Sequence, residues 1–148
     1  MSTSVIRYGR PSVSSFALSI KQFCDKTKAN VDQVNRKVCL EILSGVVMKS
    51  PVKTGWFRGN WQVGENNQLK TASVEDKDVG GDATISKGSS VIDGLKAGGV
   101  VWISNNLPYA RRLEYGWSGQ APFGVVRMTL NDVASNMDRI VAGVKDAR

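Results

Sequence analysis

The 148-residue chain contains no histidine, which removes the commonest general base and the commonest zinc ligand together. Its two cysteines, Cys24 and Cys39, fall within one helical pattern, and the rise between them sets them roughly 20 Å apart. Bridged Cα atoms lie within about 7 Å, so a disulfide between them is excluded, and two distant thiols cannot build a structural zinc site. Both read as small buried hydrophobes. No run approaches the roughly 18 apolar residues that span a bilayer, and the basic N-terminus is not followed by the apolar stretch of a secretory signal. A soluble protein made in a cytoplasm, without a membrane partner, is expected. The acidic residues between Glu65 and Asp82 do not follow the Asp-x-Asp-x-Asp-Gly spacing of a calcium loop. Gly98-Gly99 leads into a strand with no Lys-Ser/Thr after it, unlike a phosphate-binding loop. No nucleophile is paired with a base anywhere. The chain therefore reads as a non-enzyme with no cofactor, metal or catalytic residue.

What is present describes one ordinary domain. Hydrophobic content of 41% with charged content of 22% is near the globular average and excludes a wholly disordered chain. The net charge of +7 is uneven: residues 1–64 carry ten Lys/Arg against three Asp/Glu, and residues 65–93 carry three against six. A basic half beside an acidic insertion suits contact with nucleic acid or complementary packing of like subunits.

Along the chain, residues 1–14 are serine-rich and aperiodic, an extended arm. From residue 15 a single domain is expected to run to the C-terminus. Phe16, Ile20, Phe23, Thr27, Val31, Val34, Val38, Ile42 and Val46 step by three or four, which predicts one helix of about 30 residues, capped by Ser14 or Ser15 and stopped before Pro51. Thr54-Gly55 then turns into an aromatic cluster of Trp56, Phe57 and Trp61, of which Trp56 and Trp61 are expected to pack under that helix while Lys53 and Arg58 face solvent or a partner. A strand starts at Trp61. Residues 64–83 form a polar excursion. Ala83 to Ser86 alternates as a short strand, and one or two helical turns follow from Ser89. Val100 to Ser104, β-branched and aromatic, is expected to be a central strand covered on both faces. Pro108 opens a short helix that Gly116 closes, with Glu114 in a surface pair with Arg111. From Phe123, Val126, Leu130, Val133, Met137, Ile140 and Val144 define one C-terminal helix. These elements predict an α+β fold: a long N-terminal helix and a C-terminal helix on one side of a mainly antiparallel sheet of three or four strands, with a short helix after the central strand. Open sheet edges of this kind can be completed by neighbouring subunits.

The densest stretch of turn-makers and aromatics is Ile103 to Pro122. Its Asn-Asn-Leu-Pro-Tyr-Ala, Leu-Glu-Tyr-Gly-Trp-Ser and Gln-Ala-Pro segments resemble the signature of the neck or tail-completion (head–tail joining) proteins of long-tailed, lambdoid-type bacteriophages, a minor tail protein Z-like group. Upstream, Ser50 to Trp61 resembles that family's Pro-Val-x-Thr-Gly segment followed by a basic residue. The matches occur in the family's order and the framework covers roughly residues 15–147. They carry over to Pro51, Thr54, Gly55, Asn106, Pro108, Tyr109, Ala110, Glu114, Tyr115 and Gly116. Two features depart from the pattern: the aromatic Trp56 and Phe57 directly after Thr-Gly, and the long 64–83 excursion.

The resemblance implies a structural virion protein that closes into a homo-oligomeric ring, a hexamer in keeping with the sixfold tail. That ring would join the head connector, adaptor or head-completion protein to the tail terminator or tail tube protein. It implies location in the virion, after assembly in the host cytoplasm, and a lumen that passes viral DNA. Arg58, Arg111 and Arg112 are the candidates for facing that DNA, without sequence readout. The alternative from another class is a small basic nucleic-acid-binding module.

Overall fold

The computed structural model describes residues 30–96 and 98–146, with Gln22 and Asp25. The expected arm and the expected helix start near Ser14 lie outside the described residues. Within them the fold is α+β, with six helices and two antiparallel strands. The helices are α1 (Val31–Lys49), α2 (Trp56–Gly59), α3 (Asp82–Asp93), α4 (Ala110–Glu114), α5 (Val126–Ser135) and α6 (Met137–Asp146). The strands are β1 (Trp61–Glu65) and β2 (Val101–Asn105), paired from Trp61 opposite Asn105 to Glu65 opposite Val101. No helix among the described residues is long and apolar enough to cross a membrane.

Helix α1 organises the rest. Its N-terminal half buries Val34 and Val38 against Val133, Met137, Ile140 and Val141 of α5 and α6. Its C-terminal half buries Leu43, Val46 and Val47 in a second cluster with Phe57, Trp61, Val63, Ile92 and Leu107. Cys39 borders that second cluster, and burial pushes its thiol up from its ordinary value. Lys49 pairs with Asp132 at 2.8 Å across the seam between α1 and α5. At the end of α1, Ser50 donates its hydroxyl to the Val46 carbonyl at 2.6 Å and accepts the Trp61 indole N–H at 2.7 Å. One small side chain thereby closes a helix and anchors the first residue of β1.

Several expectations are corrected. A single helix running from Phe16 through Val46 is interrupted at Asn30, whose ψ of 115° is extended and whose side chain accepts the Gln33 N–H at 3.0 Å. An N-cap geometry cannot sit in a helix interior. Ala83 to Ser86 is not a strand but the start of α3. The Asp78 carboxylate accepts the N–H groups of Gly81 and Thr84 and the Thr84 hydroxyl, and so nucleates the helix from outside it. The Thr84 hydroxyl bond leads the causes that hold the Asp78 carboxyl below its ordinary value. Thr84, Gly88 and Ile92, spaced by four, form the buried face, a period that four residues of alternation concealed.

Strand β2 is not central, and the sheet has two strands among the described residues rather than three or four. Val101 and Ile103 pack on the core, while Trp102 on the other face stays 40% exposed. That second face is covered in part by the start of the excursion, where the Trp102 indole donates to the Asn66 carbonyl at 2.6 Å and Ser104 donates to Lys70 at 3.1 Å. An apolar β-branched run reads the same whether a strand or a loop lies beside it. The C-terminal helix is two helices, because Asn136 caps α5 through its backbone N–H and donates its amide to the Asp132 carbonyl at 2.7 Å. A break of one residue leaves Val133, Met137 and Ile140 on a common buried face, so the periodicity survives it.

Candidate functional site

Leu107 and Ala110 are buried and lock the start of α4 to the core, and Leu113 follows on the same face. The helix stops where Gly116 takes φ = +88°, a conformation that L side chains rarely adopt; a Cβ there would also lie 2.4 Å from the Pro122 carbonyl oxygen. The chain then loops through Trp117 and Phe123 to α5. Glu114 holds this loop closed. It is 2% exposed, and its carboxylate accepts the N–H groups of Val125, Val126 and Arg127 at 3.0, 2.9 and 3.0 Å. The expected surface pair of Glu114 with Arg111 is therefore corrected: its ion partner is Arg127, at 3.7 Å. Two residues of α4 separated by three positions do share a face, but Glu114 points to the N-terminus of α5, where the positive end of the helix attracts it.

Outside this closed loop stands a basic, aromatic surface. Tyr115, Trp117 and Phe123 are 59%, 71% and 71% exposed. The guanidinium groups of Arg111 and Arg127 lie 5.9 and 5.4 Å from the Tyr115 ring centre, and that of Arg112 lies 6.0 Å from Trp117. Such pairs orient Arg111 and Arg112 while leaving their N–H groups available, whereas Arg127 also donates to the Glu114 carbonyl at 2.6 Å.

Two clefts meet there. One of about 590 Å³ is lined by Pro108, Arg111, Arg112, Tyr115, Gly116 and Trp117. The other, of about 640 Å³, runs between residues 51–57 and 109–120 and shares Arg112 and Trp117 with the first. Its floor is apolar, with Phe57, Tyr109 and Leu113, and among the described residues no carboxylate lines either cleft. Its two walls are tied by Gln120, which accepts the Val52 N–H at 2.9 Å and donates to the Val52 carbonyl at 3.3 Å. Gly55, at φ = +85°, lets the chain turn against the excursion; its carbonyl accepts the Asp78 N–H at 3.0 Å, and a Cβ would meet the Asp78 backbone at 2.8 Å. Tyr109 packs between Trp56 and Phe57, and burial raises its hydroxyl above the usual tyrosine value.

The structure thus brings Pro51, Thr54, Gly55 and Tyr109 to one cleft and Pro108, Arg111, Tyr115 and Gly116 to the next, with Arg112 in both. Three of the expected site residues lie elsewhere. Asn106 donates to the Lys70 carbonyl at 2.9 Å and fixes the excursion, and Glu114 is buried. Arg58 is apart from Arg111 and Arg112: its guanidinium donates to the carbonyls of Val79, Met48 and Ser50 at 2.6, 3.0 and 3.1 Å. Those bonds close the C-terminal end of α1. Replacing Arg58 with alanine is expected to lower stability by about 1–2 kcal/mol in urea denaturation, while leaving any affinity for DNA unchanged. Sequence reasoning missed Arg127 as part of this surface and the bond of Gln120, itself within the matched stretch, to Val52, since both contacts form only through folding.

Comparison of the chain with family models, curated proteins and solved structures gives no match.

Proposed function

We propose that the chain is a structural subunit of the neck of a tailed phage, a tail-completion or head–tail joining protein. Its resemblance to that family rests on two segments far apart in sequence, and the observation that supports the reading is their convergence on one groove. Residues 51–55 and 109–120 form its walls, and Gln120 bonds them together. The groove has the character of a docking surface: an apolar floor, a basic rim of Lys53 and Arg112 with Arg111 in the adjoining cleft, and exposed aromatics beside it. Fully desolvated aromatic and arginine side chains carry most of the energy at protein interfaces.

In this reading subunits close a cyclic ring, a hexamer matching the sixfold tail, between the head connector or head-completion protein and the tail terminator or tail tube. Assembly takes place in the host cytoplasm and the product is part of the virion. Arg111 and Arg112 contact passing DNA through phosphates alone. The chemistry needs no catalyst and no cofactor.

The same exposed arginines and aromatics favour a second reading, a basic nucleic-acid-binding module that acts as a monomer. Solution mass by light scattering, with and without equimolar short duplex DNA at about physiological salt, separates the two, because screening over roughly 8 Å suppresses incidental binding. A monomer, loose oligomer or closed ring whose mass ignores DNA is expected. A stoichiometric, submicromolar complex of the monomer with DNA would overturn the neck reading.

A further inference from the structure

The register of the sheet determines which backbone groups of β2 remain available. Asn66 donates its N–H to the Val100 carbonyl at 2.8 Å, and Gly64 and Gln62 stand opposite Trp102 and Ser104. Antiparallel pairs alternate between hydrogen-bonded and non-hydrogen-bonded positions, so Val100, Trp102 and Ser104 direct their peptide groups to β1. Val101 and Ile103, in the intervening pairs, direct theirs outward. Among the described residues neither their N–H nor their C=O groups have a hydrogen-bond partner. The other side of the sheet is managed differently, since α3 packs on β1 and the Glu65 carbonyl accepts the Gln68 N–H.

Open edges in natural sheets are usually blunted by a charge, a proline or a bulge. Val101-Trp102-Ile103-Ser104-Asn105 has none of these. The edge also carries unusual apolar exposure, with Val100 at 49% and Trp102 at 40%.

We propose that this edge pairs with the same edge of a second copy, antiparallel, about a two-fold axis at Trp102. The occupant follows from the geometry. Centring on Trp102 sets Val101 opposite Ile103 of the other copy, twice, so that every outward peptide group of the two residues gains a partner. It sets the two Trp102 side chains face to face at a non-hydrogen-bonded position, where Cβ atoms approach to about 4.5–5.5 Å. The exposed indole is then covered by its own counterpart and Val100 by Ser104 and, diagonally, Trp102 of the other copy, with no charge on either strand to oppose the contact. The result is a four-stranded antiparallel sheet in place of two separate two-stranded ones, a size at which sheets become independently stable. The contact is isologous, unlike the head-to-tail contacts of a ring, and does not depend on the neck reading.

The test uses the full chain with Trp102→Cys and, on the same face, Ser104→Cys, under mild oxidation, with the unaltered chain giving the background from Cys24 and Cys39. Across the proposed axis the two thiols introduced by Trp102→Cys would be adjacent, whereas Ser104 faces Val100 of the other copy. The W102C chain is expected to form covalent dimer several-fold faster than either of the others. Sedimentation velocity is expected to show the unaltered chain self-associating between roughly 10 μM and 1 mM. Val101→Pro removes an outward N–H without touching the bonds to β1, and is expected to be monomeric with its melting cooperative. The proposal is overturned by a chain still monomeric at about 1 mM, by W102C crosslinking no faster than S104C, or by folded V101P that still associates. If V101P does not fold, the cysteine comparison decides. A DNA complex in the light-scattering experiment would sink the neck reading and leave this contact standing.

Discussion

Glu114→Ala is expected to lower the free energy of unfolding by about 3–5 kcal/mol, among the largest effects of any single replacement outside the apolar core. The carboxylate is buried and accepts three consecutive backbone N–H groups at the start of α5. Helix α5 has no side-chain cap of its own: Val125 occupies the cap position. Removing the carboxylate leaves those donors without partners in a space that alanine cannot fill. For a domain of this size the melting temperature should fall by roughly 10 °C. Glu114→Gln keeps the shape but offers one acceptor and an unwanted donor, and should cost about 1–3 kcal/mol. The ion pair with Arg127 adds little to either figure, since Arg127 is 44% exposed and the separation is 3.7 Å. Urea denaturation of the two variants checks the order. A loss below about 1 kcal/mol for Glu114→Ala would show that the cap is replaceable by water. Because the carboxylate also closes the loop from Tyr115 to Gly124, hydrogen exchange in that loop should rise in the alanine variant. The exposed Trp117 and Phe123 would then be presented from a mobile segment instead of a fixed one.

Glu114 also marks where sequence reading stops. A carboxylate three positions after an arginine on a short helix is ordinarily a surface pair, and nothing local says otherwise. The signal lay at the other end of the contact: a helix that opens on Val125-Val126, with no Ser, Thr, Asp or Asn before it, must take its cap from elsewhere. Asp78 repeats the device at α3, whose cap residue is Gly81. Remote capping is tertiary, and periodicity does not register it. Elements defined by local chemistry were legible. The buried positions Val34, Val38 and Val46 of α1, the stop before Pro51, the turn at Gly55 and the closure of α4 by Gly116 all follow from residue type and spacing, whereas Val31 at the start of the same stripe is exposed and Leu43 and Val47 are buried outside it. Contacts that join distant segments were not, among them Gln120 with Val52 and Arg58 with Val79. The groove was readable as two shaped segments, but its existence depends on their meeting.

Asn60→Ala should detach the acidic excursion and cost about 2–4 kcal/mol. Asn60 is wholly buried between α2 and β1 and uses every part of its amide. Its Nδ2 donates to the carbonyls of Trp56 and Val74 at 2.7 and 3.0 Å, and its Oδ1 accepts the Val74 N–H at 2.8 Å. The Val74 carbonyl also accepts the Trp56 indole N–H at 2.8 Å, and Gln62 donates to Ala72 at 2.7 Å. Side chains around β1 thereby bind the excursion's backbone much as a third strand would. This explains how a polar segment that reads as an open loop can be part of the fold. Alanine leaves the Val74 N–H and the Trp56 carbonyl to find water and the Val74 carbonyl with the Trp56 indole alone, and the segment should loosen before the core does. Limited trypsin digestion gives the readout at Lys70 and Lys77, both exposed within the segment. Cleavage there should accelerate by about tenfold or more in the variant, following the population of the opened segment, while α1 and α6 remain intact. Unchanged cleavage together with an unchanged urea midpoint would mean that the remaining bonds, from Trp56, Gln62 and Asn106, hold the excursion without Asn60.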